Sequence, residues 1–370
     1  MNPLREAIQK QIARQGVISF EKFMELALYC PELGYYERST ASIGRGGDFI
    51  TSVSVGRLFG ELLAFQFAEW LRAVPGPLQL IEAGAHDGRL LCDVAGWFHE
   101  NEPALSQQIE LCLVEPSAAR RWVQQSTLAA HAGRVRWLVG WTDFEAHSVN
   151  GVIFSNELLD AFPIRRLGWD ARRHAWFEWG VAADEGRFVW TRMKPADGGA
   201  ELLEVLCRAG YEIAPALLEV LPDGFTVECS PAAVAWWRGA AAALGCGKLM
   251  AIDYGAEAGE LLRPERAGGT LRAYAGHRSV TDPLADPGEQ DLTAHVNFSA
   301  IRLAGEQLRL ETECFESQER FLTRIAGRIW RRDTPAGNWT FARGQQFRTL
   351  THPDHLGRPF RVLVQSRRGC

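Results

Sequence analysis

Seven consecutive residues, Glu82-Ala83-Gly84-Ala85-His86-Asp87-Gly88, close an apolar run at 78–82 and lead into a helical pattern at 90–100. Glycine lets a backbone come close to a ligand, and the amino terminus of a helix presents free N–H groups. The segment is therefore a candidate nucleoside-binding loop, with Gly84 and Gly88 as its points of approach. Glu115 ends the next apolar run, where a carboxylate can accept hydrogen bonds from ribose hydroxyls; the competing reading is a surface carboxylate.

Several nucleotide chemistries are excluded by spacing. A nicotinamide dehydrogenase would carry glycines two and five positions after Gly84, but His86 and Arg89 stand there. Glu115 also lies 31 positions after Gly84, whereas that fold places its acidic residue roughly 20 on. No Gly-Lys-Ser/Thr follows, which removes a P-loop. The expected cofactor is S-adenosyl-L-methionine, with Glu82 facing its methionine end or ordered waters.

A second set of reactive residues follows the apolar run at 151–155. Glu157 and Asp160 stand three apart on a turn, and paired carboxylates could hold a guanidinium, with Asn156 orienting it. The alternative has Asp160 capping a helix and Glu157 in a salt bridge. Asp253 ends a further apolar run and could serve either the site or local hydrogen bonding. His277 and His295 have no ligand partner at helical spacing, and no metal site is expected.

These residues need a scaffold. Strand-like runs at 78–82, 109–115, 135–139, 151–155 and 248–253 alternate with helix candidates, including 55–71, 90–100 and 231–244. Such alternation implies parallel strands joined by right-handed crossovers. Residues 1–35 read as helical. Between 165 and 230, Trp/Phe segments and a helix-like 202–209 suggest an insertion covering the carboxyl edge of the sheet. Residues 255–298, rich in Gly, Pro and Asp, read as a loop or lid. The chain closes with a helix at 318–331 and a strand at 360–365.

Composition sets the outer limits. The 370 residues are 46% hydrophobic, enough for a sizeable core, and the net charge of −5 offers no global attraction to nucleic acid. The pairs Arg165-Arg166, Arg331-Arg332 and Arg367-Arg368 read as solvated faces. The eight cysteines form no CxxC pair and read as buried thiols of a reducing compartment. No run approaches the ~20 apolar residues of a membrane span, and the start lacks the apolar core of a signal peptide. The expected location is cytoplasmic. Most of the thirteen tryptophans, Trp236 and Trp237 among them, read as core.

Longer motifs then carry a resemblance. Phe23-Met24, Leu28-Tyr29, Pro31-Glu32-Leu33-Gly34-Tyr35-Tyr36, Gly47-Asp48-Phe49-Ile50-Thr51-Ser52 and Phe59-Gly60-Glu61 stand in order before the loop. Asn156-Glu157-x-x-Asp160-Ala161-x-Pro163 and a distal run from Gly268-Gly269-Thr270-Leu271 to Asp291-Leu292-Thr293-Ala294-His295 follow it. Over about residues 18–325 the chain resembles the MidA-like methyltransferases, whose mitochondrial members are respiratory complex I assembly factors and protein arginine methyltransferases. The family's loop reads Glu-x-Gly-Pro-Gly-x-Gly, so His86 replaces its middle glycine.

The resemblance implies an α/β class I methyltransferase: Rossmann-like, with a mostly parallel seven-stranded sheet, an N-terminal helical segment and an inserted α+β subdomain. Residues 1–70 would form a helical cap, 71–164 and 231–370 the cofactor-binding core, and 165–230 a substrate-covering insertion. Gly46, Gly47, Asp48 and Thr51 would wall the cofactor beside Glu82, Gly84, Gly88 and Glu115. Asn156, Glu157, Asp160 and His295 would be catalytic, His295 as a general base. The expected activity is methylation of a protein substrate on arginine. The alternative is an assembly or scaffolding factor that transfers no methyl group, which His86 favours slightly. Partners would be the protein substrate and, as self-association, a homodimer, with no nucleic acid and no membrane.

Overall fold

A computed structural model describes residues 2–38, 51–194, 199–276, 278–331 and 339–367. Two compact units emerge. One comprises Phe49–Leu158, Trp236–Tyr254 and Ala304–Cys370; the other comprises Met1–Asp48, Leu159–Ala235 and Gly255–Leu303.

The first unit is built on one sheet, whose seven strands are numbered in chain order: β1 (Leu78–Ala83), β2 (Ile109–Val114), β3 (Val135–Leu138), β4 (Val149–Asn156), β5 (Leu244–Ala256), β6 (Glu311–Ser317) and β7 (Phe360–Arg367). Their spatial order is β3-β2-β1-β4-β5-β7-β6. All pairs from β3 to β5 are parallel, and only β7 runs against its neighbours. The mostly parallel seven-stranded sheet expected from the sequence is present. Its near-continuous apolar runs follow from burial on both faces, as in β1, where four consecutive residues from Leu80 to Ala83 are buried.

Helix Leu58–Leu71 is buried on nearly every side, and Phe67 packs on Phe154 of β4 with ring centroids 4.9 Å apart. It therefore belongs with the sheet, so the division expected near residue 70 differs from the contacts. Helix Gln318–Arg331 buries Phe321, Leu322, Ile325, Ala326 and Ile329, an i, i+1, i+4, i+5, i+8 stripe. Burying each of the larger four, Phe321, Leu322, Ile325 and Ile329, contributes roughly 1.5–3 kcal/mol.

Strand order reverses between β1 and β4. Ligands in open α/β sheets bind outside the carboxyl ends of the strands at such a switch point. Register brings those ends level: Ala83 lies beside Val114 and Ser155, and Asn156 beside Ile252.

The second unit packs helices Pro3–Gln15 and Phe20–Tyr29 around Ile8, Phe20, Phe23 and Leu28. Asn2 and Ser19 cap the two helices through their side chains. Its larger sheet is antiparallel, running Ile18–Ser19, Ala175–Asp184, Arg165–Asp170, Thr226–Cys229, with Arg187–Met193 as a hairpin on the second strand. Residues 255–298, expected to be a loop, contain a three-stranded sheet of Arg272–Ala275, Arg278–Val280 and Asp291–Thr293. Its strands are too short to show periodicity. Arg165 and Arg166 do not form a solvated face: Arg165 pairs with Glu178 at 2.6 Å and Arg166 with Glu228 at 3.3 Å, with each guanidinium largely buried. Six cysteines carry free thiols among the described residues, while Cys246 is disulfide-bonded, which corrects the all-thiol expectation for that residue.

Candidate active site

β1 delivers its chain into Gly84, whose φ of 68° lies in the left-handed region. A Cβ there would meet the Leu158 side chain at 2.5 Å, so only glycine fits without displacement. Gly88, with φ 80°, begins helix Arg89–Asn101 and supplies no side-chain cap. Asp87 takes the first N–H of that helix, Arg89 N–H donating to its Oδ1 at 3.0 Å, and the Leu91 N–H serves the Glu82 carboxylate.

His86 between them has φ 48°. The position does require left-handed backbone, which histidine, asparagine and aspartate adopt more readily than other side chains. Its Nε2 lies 2.8 Å from Arg120 Nη1, and its carbonyl accepts from Gln124 Nε2 at 3.1 Å. A guanidinium only donates, so Nε2 is the acceptor and the imidazole is neutral. Burial and the neighbouring Arg120 charge both push its pKa well below the usual histidine value.

Glu115, just past β2, is buried. One carboxylate oxygen accepts from Ser117 N–H at 3.0 Å and the other from Gln124 Nε2 at 3.0 Å. Glu82 is 3% exposed, and burial, reinforced by Asp87, raises its pKa to about 8.

At the end of β4, Asn156 Nδ2 donates to Glu157 Oε1 at 3.1 Å, and Ser52 N–H donates to the same oxygen at 2.9 Å. Glu157 has φ 52°, and burial raises its pKa to about 7. A non-glycine residue held there stores strain of the kind concentrated at functional sites. Thr51 is engaged in a reciprocal capping box with Ser54, so its hydroxyl holds the turn that presents Ser52. Asp253, fully buried, accepts from Leu158 N–H at 3.1 Å and from Tyr254 N–H at 2.7 Å. It thereby fixes the residue whose side chain lies over Gly84.

Among the described residues, three buried oxygens at the carboxyl ends of β1 and β4 have no hydrogen-bond partner: Glu82 Oε2, Ser155 Oγ and Asn156 Oδ1. Buried polar atoms left unpaired are costly, and a ligand carrying N–H and O–H groups would satisfy them. The residues therefore fit S-adenosylmethionine, with Glu115 for its ribose, the Gly84–Gly88 backbone for close approach and Glu82 for its cationic end.

The structure thus brings Thr51, Glu82, Gly84, Gly88, Glu115, Asn156 and Glu157 into one unit, and Asp160 and His295 into the other. There Ala294 N–H donates to the Asp160 carbonyl at 2.9 Å, while His295 N–H donates to Thr270 Oγ1 at 3.0 Å. Burial, with Arg266 and Arg272 nearby, lowers the His295 pKa to about 4. Gly46, Gly47, Asp48 and His277 lie outside the described residues. Sequence reading missed Gln124, Ser155 and Glu228. The last accepts from Thr270 N–H at 2.9 Å and from Arg166; its signal was the arginine pair, taken for surface.

The profile of a family described as "Putative S-adenosyl-L-methionine-dependent methyltransferase" matches residues 62–315. A candidate methyl transferase from Burkholderia thailandensis, crystallised with S-adenosyl-homocysteine, is similar with a TM-score of 0.84 and 33% identity, over 98% of this chain and 92% of that one. Curated relatives include the Danio rerio and Homo sapiens proteins named protein arginine methyltransferase NDUFAF7, mitochondrial. Each is 28% identical, over 81% and 82% of this chain and 72% and 68% of their own lengths. The cytoplasmic expectation is corrected by these relatives, whose names place them in mitochondria. Among the described residues no helix is long and apolar enough to cross a membrane.

Proposed function

Because this chain belongs to the MidA-like family of S-adenosylmethionine-dependent methyltransferases, we propose that it methylates a protein substrate on an arginine side chain. The cofactor and the class I methyltransferase fold are the ground for that reading. The arginine substrate is the further step, supported by the names of the curated relatives.

The cofactor supplies an electrophilic methyl group on a sulfonium. The protein's work is to align a nucleophile with that group, exclude water and receive a proton. Glu115 would hold the ribose, and Glu82, giving up its proton on binding, would balance the cationic end. Glu157 carries the reading: its carboxylate, with a pKa raised to about 7 by burial, is matched to pairing with a guanidinium and accepting the proton its nitrogen sheds. Asn156 and Ser52 hold it in place. His295, lowered to about 4, is uncharged at neutral pH and too weak a base for the role expected of it.

The non-transferring assembly factor drew its support from His86. The backbone at that position is left-handed and the side chain is turned to Arg120, so the ring need not fill the space before Gly84 and Gly88. The test is transfer of labelled methyl groups to arginine-containing proteins, followed by acid hydrolysis and amino-acid analysis. Label in methylarginine supports the proposal. Intact cofactor binding with label in another residue, or none, overturns it.

A further inference from the structure

Gln124 lies on helix Ala118–Thr127 and is fully buried. Its amide makes three hydrogen bonds to three different elements. Trp137 Nε1, on β3, donates to Oε1 at 3.1 Å. Nε2 donates to the His86 carbonyl at 3.1 Å and to Glu115 Oε2 at 3.0 Å. Because an indole N–H can only donate, the amide orientation is fixed, and both Nε2 hydrogens point at the cofactor side. The residue also backs the loop sterically: its Cα lies 3.5 Å from where a Cβ on Gly88 would stand.

We infer that Gln124 is a positioning residue of the cofactor site, locking the loop backbone at His86 and the Glu115 carboxylate into one geometry. The inference rests on the reading that places the cofactor's ribose at Glu115. The loop backbone at His86 holds a left-handed conformation in a residue with a side chain. Gln124 and Arg120, one helical turn apart, grip that residue by its carbonyl and its ring. Loss of the Gln124 amide would leave a buried carbonyl and a buried carboxylate oxygen each short of a donor, and free the loop and Glu115 to move independently.

The test is calorimetric titration of the full chain with S-adenosylhomocysteine at pH 6 and pH 8, with circular dichroism to establish folding. Gln124→Met preserves volume without the amide and should weaken binding on the order of tenfold. Gln124→Glu keeps the shape but sets two carboxylates together, which raises the pKa of one of them. Its affinity deficit relative to wild type should therefore be larger at pH 8 and shrink at least ~3-fold at pH 6, where a shared proton restores a donor. A merely structural role would lower thermal stability without that pH dependence. Glu115→Gln separates the layers. If it weakens binding while both Gln124 variants match wild type at both pH values, the inference is overturned and the Glu115 assignment stands. If Glu115→Gln binds like wild type, the assignment beneath the inference has failed.

Discussion

Oε1 of Glu157 accepts the backbone N–H of Ser52 at 2.9 Å, a bond between residues 105 apart in sequence. It ties the short helix Ser52–Val55 to the end of β4; in the proposed reaction the other carboxylate oxygen would face the substrate. Glu157→Gln keeps an oxygen for Ser52 but removes the charge and the proton acceptor. Turnover should fall roughly 100-fold or more, with S-adenosylhomocysteine affinity within about threefold of wild type. Equal loss of both would place Glu157 in the cofactor site.

Glu82 makes stability and binding depend on pH in opposite senses. Its folded pKa, about 8, lies above the ordinary 4.5, so the ligand-free protein holds the extra proton between those values. Its contribution to stability is greatest below pH 4.5 and is lost as pH rises through 8. Binding of a cationic cofactor needs the carboxylate and should strengthen over the same rise. Melting temperatures from pH 5 to 8.5 should decline more steeply for wild type than for Glu82→Gln. Parallel curves would mean that Glu82 is not held protonated.

His86 tests the loop directly. Glycine at this position relieves the left-handed strain but forfeits the Arg120 contact, so His86→Gly should bind cofactor within about threefold of wild type. A β-branched residue cannot take φ 48° without strain of roughly 1–2 kcal/mol. His86→Val should therefore bind about tenfold more weakly in the same titration. Equal affinities for the two variants would show that the loop geometry does not set binding.

Glu228 tests the second unit. Its carboxylate serves Thr270 N–H, the Thr270 hydroxyl and Arg166 while 6% exposed. Glu228→Ala leaves a largely buried guanidinium unpaired and should cost about 3–5 kcal/mol. Chemical denaturation measures this, and a loss below about 1 kcal/mol would mean that water takes over its role.

Much of this architecture was legible in the amino-acid order. The strands β1, β2, β4 and β5 declare themselves because both faces are covered and their residues are mostly apolar. β6, Glu-Thr-Glu-Cys-Phe-Glu-Ser, gave no such signal: it is an edge strand whose glutamates alternate with half-buried residues. Helix Ala118–Thr127 was silent because Gln124 alone among its residues is buried, while Trp122 is 71% exposed. Gln124 could not be found from sequence, since its role lies in partners 38 and 13 positions away. Glu82, Gly84, Gly88, Glu115 and Glu157 could be, because each sits at the end of a readable strand or at the helix start that follows one. What sequence could not say of His86 was the conformation its backbone takes.

The most direct test of the whole account is a crystal structure of the protein with S-adenosylhomocysteine. The account predicts ribose hydroxyls on Glu115, the amino-acid end near Glu82, and the sulfur's open side toward Glu157. A ligand bound elsewhere, or one that seals Glu157 from the sulfur, would contradict it.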